Sequence, residues 1–364
     1  MIDFRYHLVS IVAVFLALGL GIVLGATALQ PGTLKFLYQA SQHELHQIDA
    51  LRAANDQLNR QLSSNDQVAA AIAPQLLHQL LAGQRVVLVE APGASAQAVT
   101  GISQALTQAG ATISGQVQLQ SKFFDSSPTT RAQLGQLAQR YSPAGALLRG
   151  SQQAQASEAM AKAILTRDGP GQPVAGVRDA TSTALLNGLG AGGFVTDSGR
   201  PDARATLAVM VSPQSPLVTN SANQELVSLA QQLNLAGQGT VVAGTVAGSG
   251  PGSAIDIMRN GGRAGHLSSV DDADRVIGQI VVAQALYNQL RRISGSYGAL
   301  SSASAGGPSP APTPSASPTA SPLAAAHDFP GRTVPVEASG LAVGEADGVG
   351  AGLGPPAEAE LSAP

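Results

Sequence analysis

The residues with the clearest potential for chemistry are His43 and His46, three apart in a stretch of helical spacing. Residues three apart share one face of a helix, so the two imidazoles form a candidate metal pair for Cu(II) or Zn(II). Two ligands hold such ions weakly, and ordinary solvated positions explain the same spacing. His7, His78 and His266 stand alone, and His327 lies in a low-complexity tail. Met160, Met210 and Met258 are scattered, with no MxxM array for Cu(I). Asp271, Asp272 and Asp274 offer carboxylates to a hard cation. Their place before a long apolar helical run points instead to a helix first turn, where the dipole favours anions.

The other motifs remove possibilities. The turn after the first strand candidate reads Glu90-Ala-Pro-Gly93-Ala-Ser95, with one glycine, so the dinucleotide fingerprint G-x-G-x-x-G is missing. Gly244-Thr-Val-Ala-Gly248-Ser-Gly250-Pro-Gly252 follows a strand candidate without a GK[ST], and reads as a flexible loop rather than an anion cradle. There is no Gly-x-Ser-x-Gly elbow, no triad order, no metalloprotease motif and no convincing pair of carboxylates. Zero cysteines removes disulfides, thiolate ligands and a cysteine nucleophile. A net charge of −3 leaves no basic footprint for nucleic acid. The chain reads as non-enzymatic, with no bound cofactor assigned.

The elements that carry these residues begin with a membrane helix. Leu8 to Leu29 is 22 residues without a charged side chain. As a helix it reaches about 33 Å, enough for a hydrocarbon core of about 30 Å. Ala26-Thr27-Ala28 also resembles a signal-peptide cleavage site, with Arg5 ahead of it. The apolar run is longer than a signal peptide needs, and an uncleaved anchor is the better reading. Ala13, Ala17, Gly21 and Gly25 recur every four residues, and Gly21 to Gly25 is a GxxxG pattern that lets two helices pack closely. Arg5 on one flank gives a slight positive-inside bias, so the N-terminus is expected in the cytoplasm and the main domain outside, with one pass through the cell membrane.

Pro31-Gly32 predicts a hinge or kink. Thr33 to Asp66 then predicts a helix with a heptad whose a and d positions are Leu34, Leu37, Ser41, Glu44, Ile48, Leu51, Asn55, Leu58 and Leu62. Six of these nine are apolar, Asn55 at an a position favours a dimer in register, and Glu44 weakens the seam. A coiled coil over residues 33–68 that joins copies of the chain is expected, and a helix packed on its own domain is the alternative.

From Gln84 the rhythm changes to an α/β domain over residues 84–298, with a mostly parallel sheet. Strands are predicted at Arg85–Glu90, Thr112–Leu119, Ala144–Leu148, Val174–Val177, Ala205–Val211 and Thr240–Ala243. Helices are predicted at Ser95–Ala109, Thr130–Gln139, Gln155–Arg167, Thr181–Leu189, Ala222–Asn234 and Ser268–Ile293. Ser269 is expected to cap the last helix and Gly295 to close it. Residues 299–364 are Pro-, Ser-, Ala- and Gly-rich and are expected to be disordered.

The opening MIDFRYHLVSIVAVFLALGLGIVLGATAL, the coil from Thr33, RVVLVEAPGA, LQSKFFDSS and the closing HLSSVDDADRVIGQIVVAQALYNQL with GSYG together resemble the actinobacterial mycobacterial copper transport protein B (MctB) family, across residues 1–298. The resemblance implies a single-pass envelope protein of copper homeostasis or efflux, with copper as a transported or weakly bound ion. It brings no residue-level copper site to this chain. It also implies an alternative, since the family includes proteins of daughter-cell separation. These act as anchored scaffolds, through a membrane protein partner, on peptidoglycan hydrolysis.

Overall fold

The computed structural model describes residues 4–28, 32–142, 148–167, 169–261 and 265–309, with side chains left aside over 26–46. Two long helices come first. In α1 (Phe4–Ala28) the span Arg5–Gly25 is 21 residues of mean hydropathy 2.7, uncovered by the rest of the chain. A helix of that length measures about 31 Å, the thickness of a hydrocarbon core. Leu29 and Pro31 lie outside the described residues. Next comes α2 (Gly32–Leu77), which continues past Asp66 and through Pro74. Burial of Ala69, Ala73 and Leu77 against the domain sustains those added turns.

The domain strands are β1 (Arg85–Glu90), β2 (Thr112–Leu119), β3 (Val195–Gly199), β4 (Leu207–Val211), β5 (Gly239–Ala243), β6 (Ser268–Val270) and β7 (Ser296–Tyr297). They form one sheet in the order 3-2-1-4-5-6-7, with every pair parallel except β2 and β3. The helices are α3 (Ala96–Gln108), α4 (Pro128–Arg140), α5 (Gln152–Ile164), α6 (Ala180–Ala191), α7 (Asn220–Ala236), α8 (Ala254–Asn260) and α9 (Val276–Leu290). Side chains alternate across each strand, so the sheet feeds two cores. Val87, Val89 and Met210 pack with α4 to α8, while Val86, Leu88 and Val209 pack with α3, α9 and the end of α2. Helices on both faces explain why β1, β4 and β5 are continuous apolar runs rather than alternating ones. Ser95, Ser127, Ser151, Asp179, Thr219 and Ser253 each cap a helix by accepting the backbone N–H three residues on.

Three expectations are corrected here. Ser268–Ile293 is not one helix: Ser268–Val270 is strand, paired with both β5 and β7, and α9 starts only at Val276. Ser269 therefore caps nothing, and the Gly295 N–H donates to Ser268 Oγ at 3.2 Å instead of closing α9. Val174–Val177 is not a strand but an exposed turn, with Gly176 at φ +84° and its N–H donated to Ala203 O. A strand not expected from sequence, the antiparallel β3, occupies the sheet edge, where VTDSG is mostly solvent-facing and carries little apolar signal. The strand expected at Ala144–Leu148 falls almost wholly outside the described residues, and Leu148 itself is not in a strand.

Candidate functional site

In an open sheet of this order, ligands bind beyond the carboxyl ends of the strands where the order reverses, here between β1 and β4. The two loops at that point hold each other. Gln214 N–H donates to Gly93 O at 2.9 Å, and Ala94 and Pro213 form an antiparallel bridge. The loop after β5 closes over them: a Cβ at Gly248 would lie 2.1 Å from Pro213 O. Only glycine fits that approach. Within this loop Gly248 N–H donates to Thr245 Oγ1, and Ser249 Oγ donates to Thr245 O. Thr245, Gly248 and Ser249 are buried, so the glycine-rich stretch is largely packed structure where a flexible loop is expected from sequence. The loops after β1, β4 and β5 thus pack against one another at the switch point. Glu90 ends β1 as a half-buried carboxylate, its pKa raised by that burial.

A second polar centre lies at the end of β6. Asp271 Oδ1 accepts Ala299 N–H at 2.7 Å and Leu300 N–H at 3.2 Å, and Oδ2 accepts Arg259 Nη1 at 2.6 Å. Arg259, in α8, also donates to Ser269 Oγ, Ser302 Oγ and Tyr297 O. The two side chains are 2% and 0% exposed. Gly298, at φ +130°, would place a Cβ 2.3 Å from Asp271 Oδ1, so a glycine is required. This cluster fastens α8, β6 and residues 296–302 to one another, with its donors and acceptors already engaged. Asp272 beside it is buried, and that burial, followed by the charge of Asp271, pushes its pKa up to about 6. Asp272 Oδ1 and Asp274 Oδ1 make no hydrogen bond. All three acids precede α9 rather than occupying its first turn. Among the described residues, no group of three or more His, Asp or Glu could hold a metal ion.

The remaining candidates are placed as follows. Met160, Met210 and Met258 are buried in the core, so none presents a thioether to solvent. The side chains of His43, His46, Leu34 and Leu37 lie outside the described ones, although their backbone is in α2. Ile48, Leu51, Asn55, Leu58 and Leu62 are exposed along α2, with Leu51 at 71%. Ala13, Ala17 and Gly21 are exposed on α1, and a Cβ at Gly21 or Gly25 would meet nothing. A surface groove of about 800 Å³ runs between α4 and α6, lined by Gln133, Gln136, Leu137, Arg140, Ala191 and others, with no histidine or carboxylate. Sequence reasoning missed Arg259, whose partners are 10 to 43 residues away, and Ile72 and Leu76, which continue the heptad.

These features define a class: an α/β protein of doubly wound strand order, carried behind one apolar helix of membrane-spanning length. The loops at its switch point pack against one another. The chain belongs to the family described as "Copper transport outer membrane protein, MctB", whose model matches residues 1–308. It is 29% identical to the copper transporter MctB of Mycobacterium tuberculosis (strain ATCC 25618 / H37Rv) over 294 residues, 79% of this chain and 93% of that protein. It is likewise 29% identical to the copper transporter MctB of Mycobacterium leprae (strain TN) over 299 residues, 80% of this chain and 93% of that one.

Proposed function

We propose that this protein serves copper homeostasis in the cell envelope as an anchored, non-enzymatic component. The observation that carries the reading is the family match across residues 1–308, which takes in both long helices and the whole domain. In it, α1 holds the chain in the membrane with the N-terminus in the cytoplasm, and α2 carries the domain outside. One helix per chain with no charged side chain after Arg5 is a poor lining for an ion path, so the domain acts by contact and not as a conduit. His43 and His46 are the candidate copper ligands. The test is cell-associated copper under copper challenge in a deletion strain, with and without the gene restored. Copper that accumulates and is corrected by restoration is the expected result; normal copper in the deletion strain overturns it. Converting both histidines to alanine with no change in copper handling would remove them from the mechanism.

A second reading is favoured by the exposed apolar positions Ile48, Leu51, Leu58 and Leu62 on α2. In it the protein is an anchored scaffold for cell separation that regulates peptidoglycan hydrolysis through a membrane partner. Leu51→Asp with Leu58→Asp then abolishes function, and a fully active double variant refutes it.

A further inference from the structure

The uncovered apolar positions on α2 do not stop where the domain begins. Val68, Ile72 and Leu76 are 60%, 44% and 47% exposed, on the same turns whose other side is buried. With Ile48 at a, Ile72 is a d position and Leu76 an a position. The domain is met mainly by the adjacent side: Ala73 and Leu77, with Ala69 at an a position, pack into the α3 and α9 core, and Asp66 pairs with Arg275 at 3.0 Å. A heptad stripe drifts about 20° per heptad around a straight helix. Over four heptads it winds by about 80°, from the side that points toward the domain to the side beside it. The stripe is therefore open from Ile48 to Leu62 and again at Ile72 and Leu76, about 42 Å in all, with the polar Asn65 at d and the domain-covered Ala69 at a between the two stretches.

We propose that a second copy of this chain occupies this stripe as a parallel two-helix coil running from Ile48 through Leu76. The seam then continues alongside the two domains instead of ending below them. The proposal rests on the anchored reading above and names the partner. Three observations favour a second copy. The free stretch to Leu62 supplies about two heptads, and the domain-docked turns bring the seam to the three or four that a coiled coil sustains. Asn55 at an a position meets its own equivalent only when the two chains are parallel and in register; within one chain its Oδ1 accepts Asn59 Nδ2 at 2.8 Å. The flanking pairs of such a dimer, Gln47 with Arg52, Ala54 with Asn59 and Gln61 with Asp66, contain no like charges. At Ala69, the a position that the domain covers, the side chain is only a methyl group.

The chain contains no cysteine, so single substitutions report contacts cleanly. Full-length Leu58→Cys, Ile72→Cys and Leu76→Cys, oxidised with diamide in native membranes, should each give a disulfide-linked dimer. Arg60→Cys and Gln67→Cys, at outward-facing f positions, should not. Dimers at Leu58→Cys alone would overturn the extended seam, placing its end at the domain edge. Equal cross-linking at the f positions, or capture of a different protein by the seam positions, would overturn the homodimer. Copper content of the same deletion and restored cells is read separately: unchanged copper with intact cross-links refutes the copper reading and leaves the dimer standing.

Discussion

Arg259→Ala is the substitution that probes the fold most sharply. The guanidinium makes four hydrogen bonds, to Asp271, Ser269, Ser302 and Tyr297 O, and is 2% exposed. Its removal leaves the Asp271 carboxylate fully buried, still holding the amides of Ala299 and Leu300 but without a counter-charge. Breaking a buried ion pair from one side costs about 3–5 kcal/mol. In a domain of this size each kcal/mol lowers the melting temperature by about 2–4 °C, so a loss of about 6–20 °C is expected. The assay is thermal unfolding of the purified full chain, followed by circular dichroism. Limited proteolysis at 25 °C adds a local readout, because residues 296–302 lose their fastening and should be cut first. Arg259→Met combined with Asp271→Asn should lose less than the two single variants summed, since neither charge is then stranded. A melting temperature for Arg259→Ala within about 2 °C of the parent would refute the account of the cluster as a structural lock.

Asp272 gives a pH signature. Its folded pKa of about 6 lies above the ordinary 3.8, so the folded chain binds the proton more tightly than the unfolded one. Stability from this group is therefore fully present below about pH 4 and is lost as pH rises through about 6. Asp272→Asn should be more stable than the parent at pH 7.5, by up to about 3 kcal/mol, with the difference vanishing towards pH 4. Equal denaturant midpoints at both pH values would contradict this. Gly278→Ala should destabilise by about 1–3 kcal/mol despite alanine's helix propensity. The reason is that its Cβ would lie 2.1 Å from Asp272 O, and a melting temperature at or above the parent's would contradict it.

Much of the fold was legible because its signals are local. β1 and β2 appear at the residues expected: β1 is an uninterrupted apolar run, and β2 carries the alternating apolar residues Val117 and Leu119 after the turn at Gly110. What escaped depends on distant partners. β3 and β7 are short edge strands with little apolar content, and β6 is three residues joined to an acidic turn that mimics a helix start. Asp271 and its neighbours looked like dipole partners because three acids ahead of an apolar helix fit that role equally well. Only the folded chain brings Arg259 to them. The heptad was readable, but its continuation through Ile72 and Leu76 was hidden by Ala69 and Ala73, which belong to the domain contact on the adjacent side.

The unbroken course of α2 also makes it a spacer of fixed length between Gly32 and the domain. From Gly32 to Asp66 the helix rises about 50 Å before the domain takes hold. Removing seven residues between those points would shorten this spacer by about 10 Å while keeping the stripe in phase. Removing four would shorten it by about 6 Å and turn the stripe by about 40° relative to the domain. Reach and facing are thus separable properties of one helix, and a ladder of such deletions would reveal which of the two the cell requires.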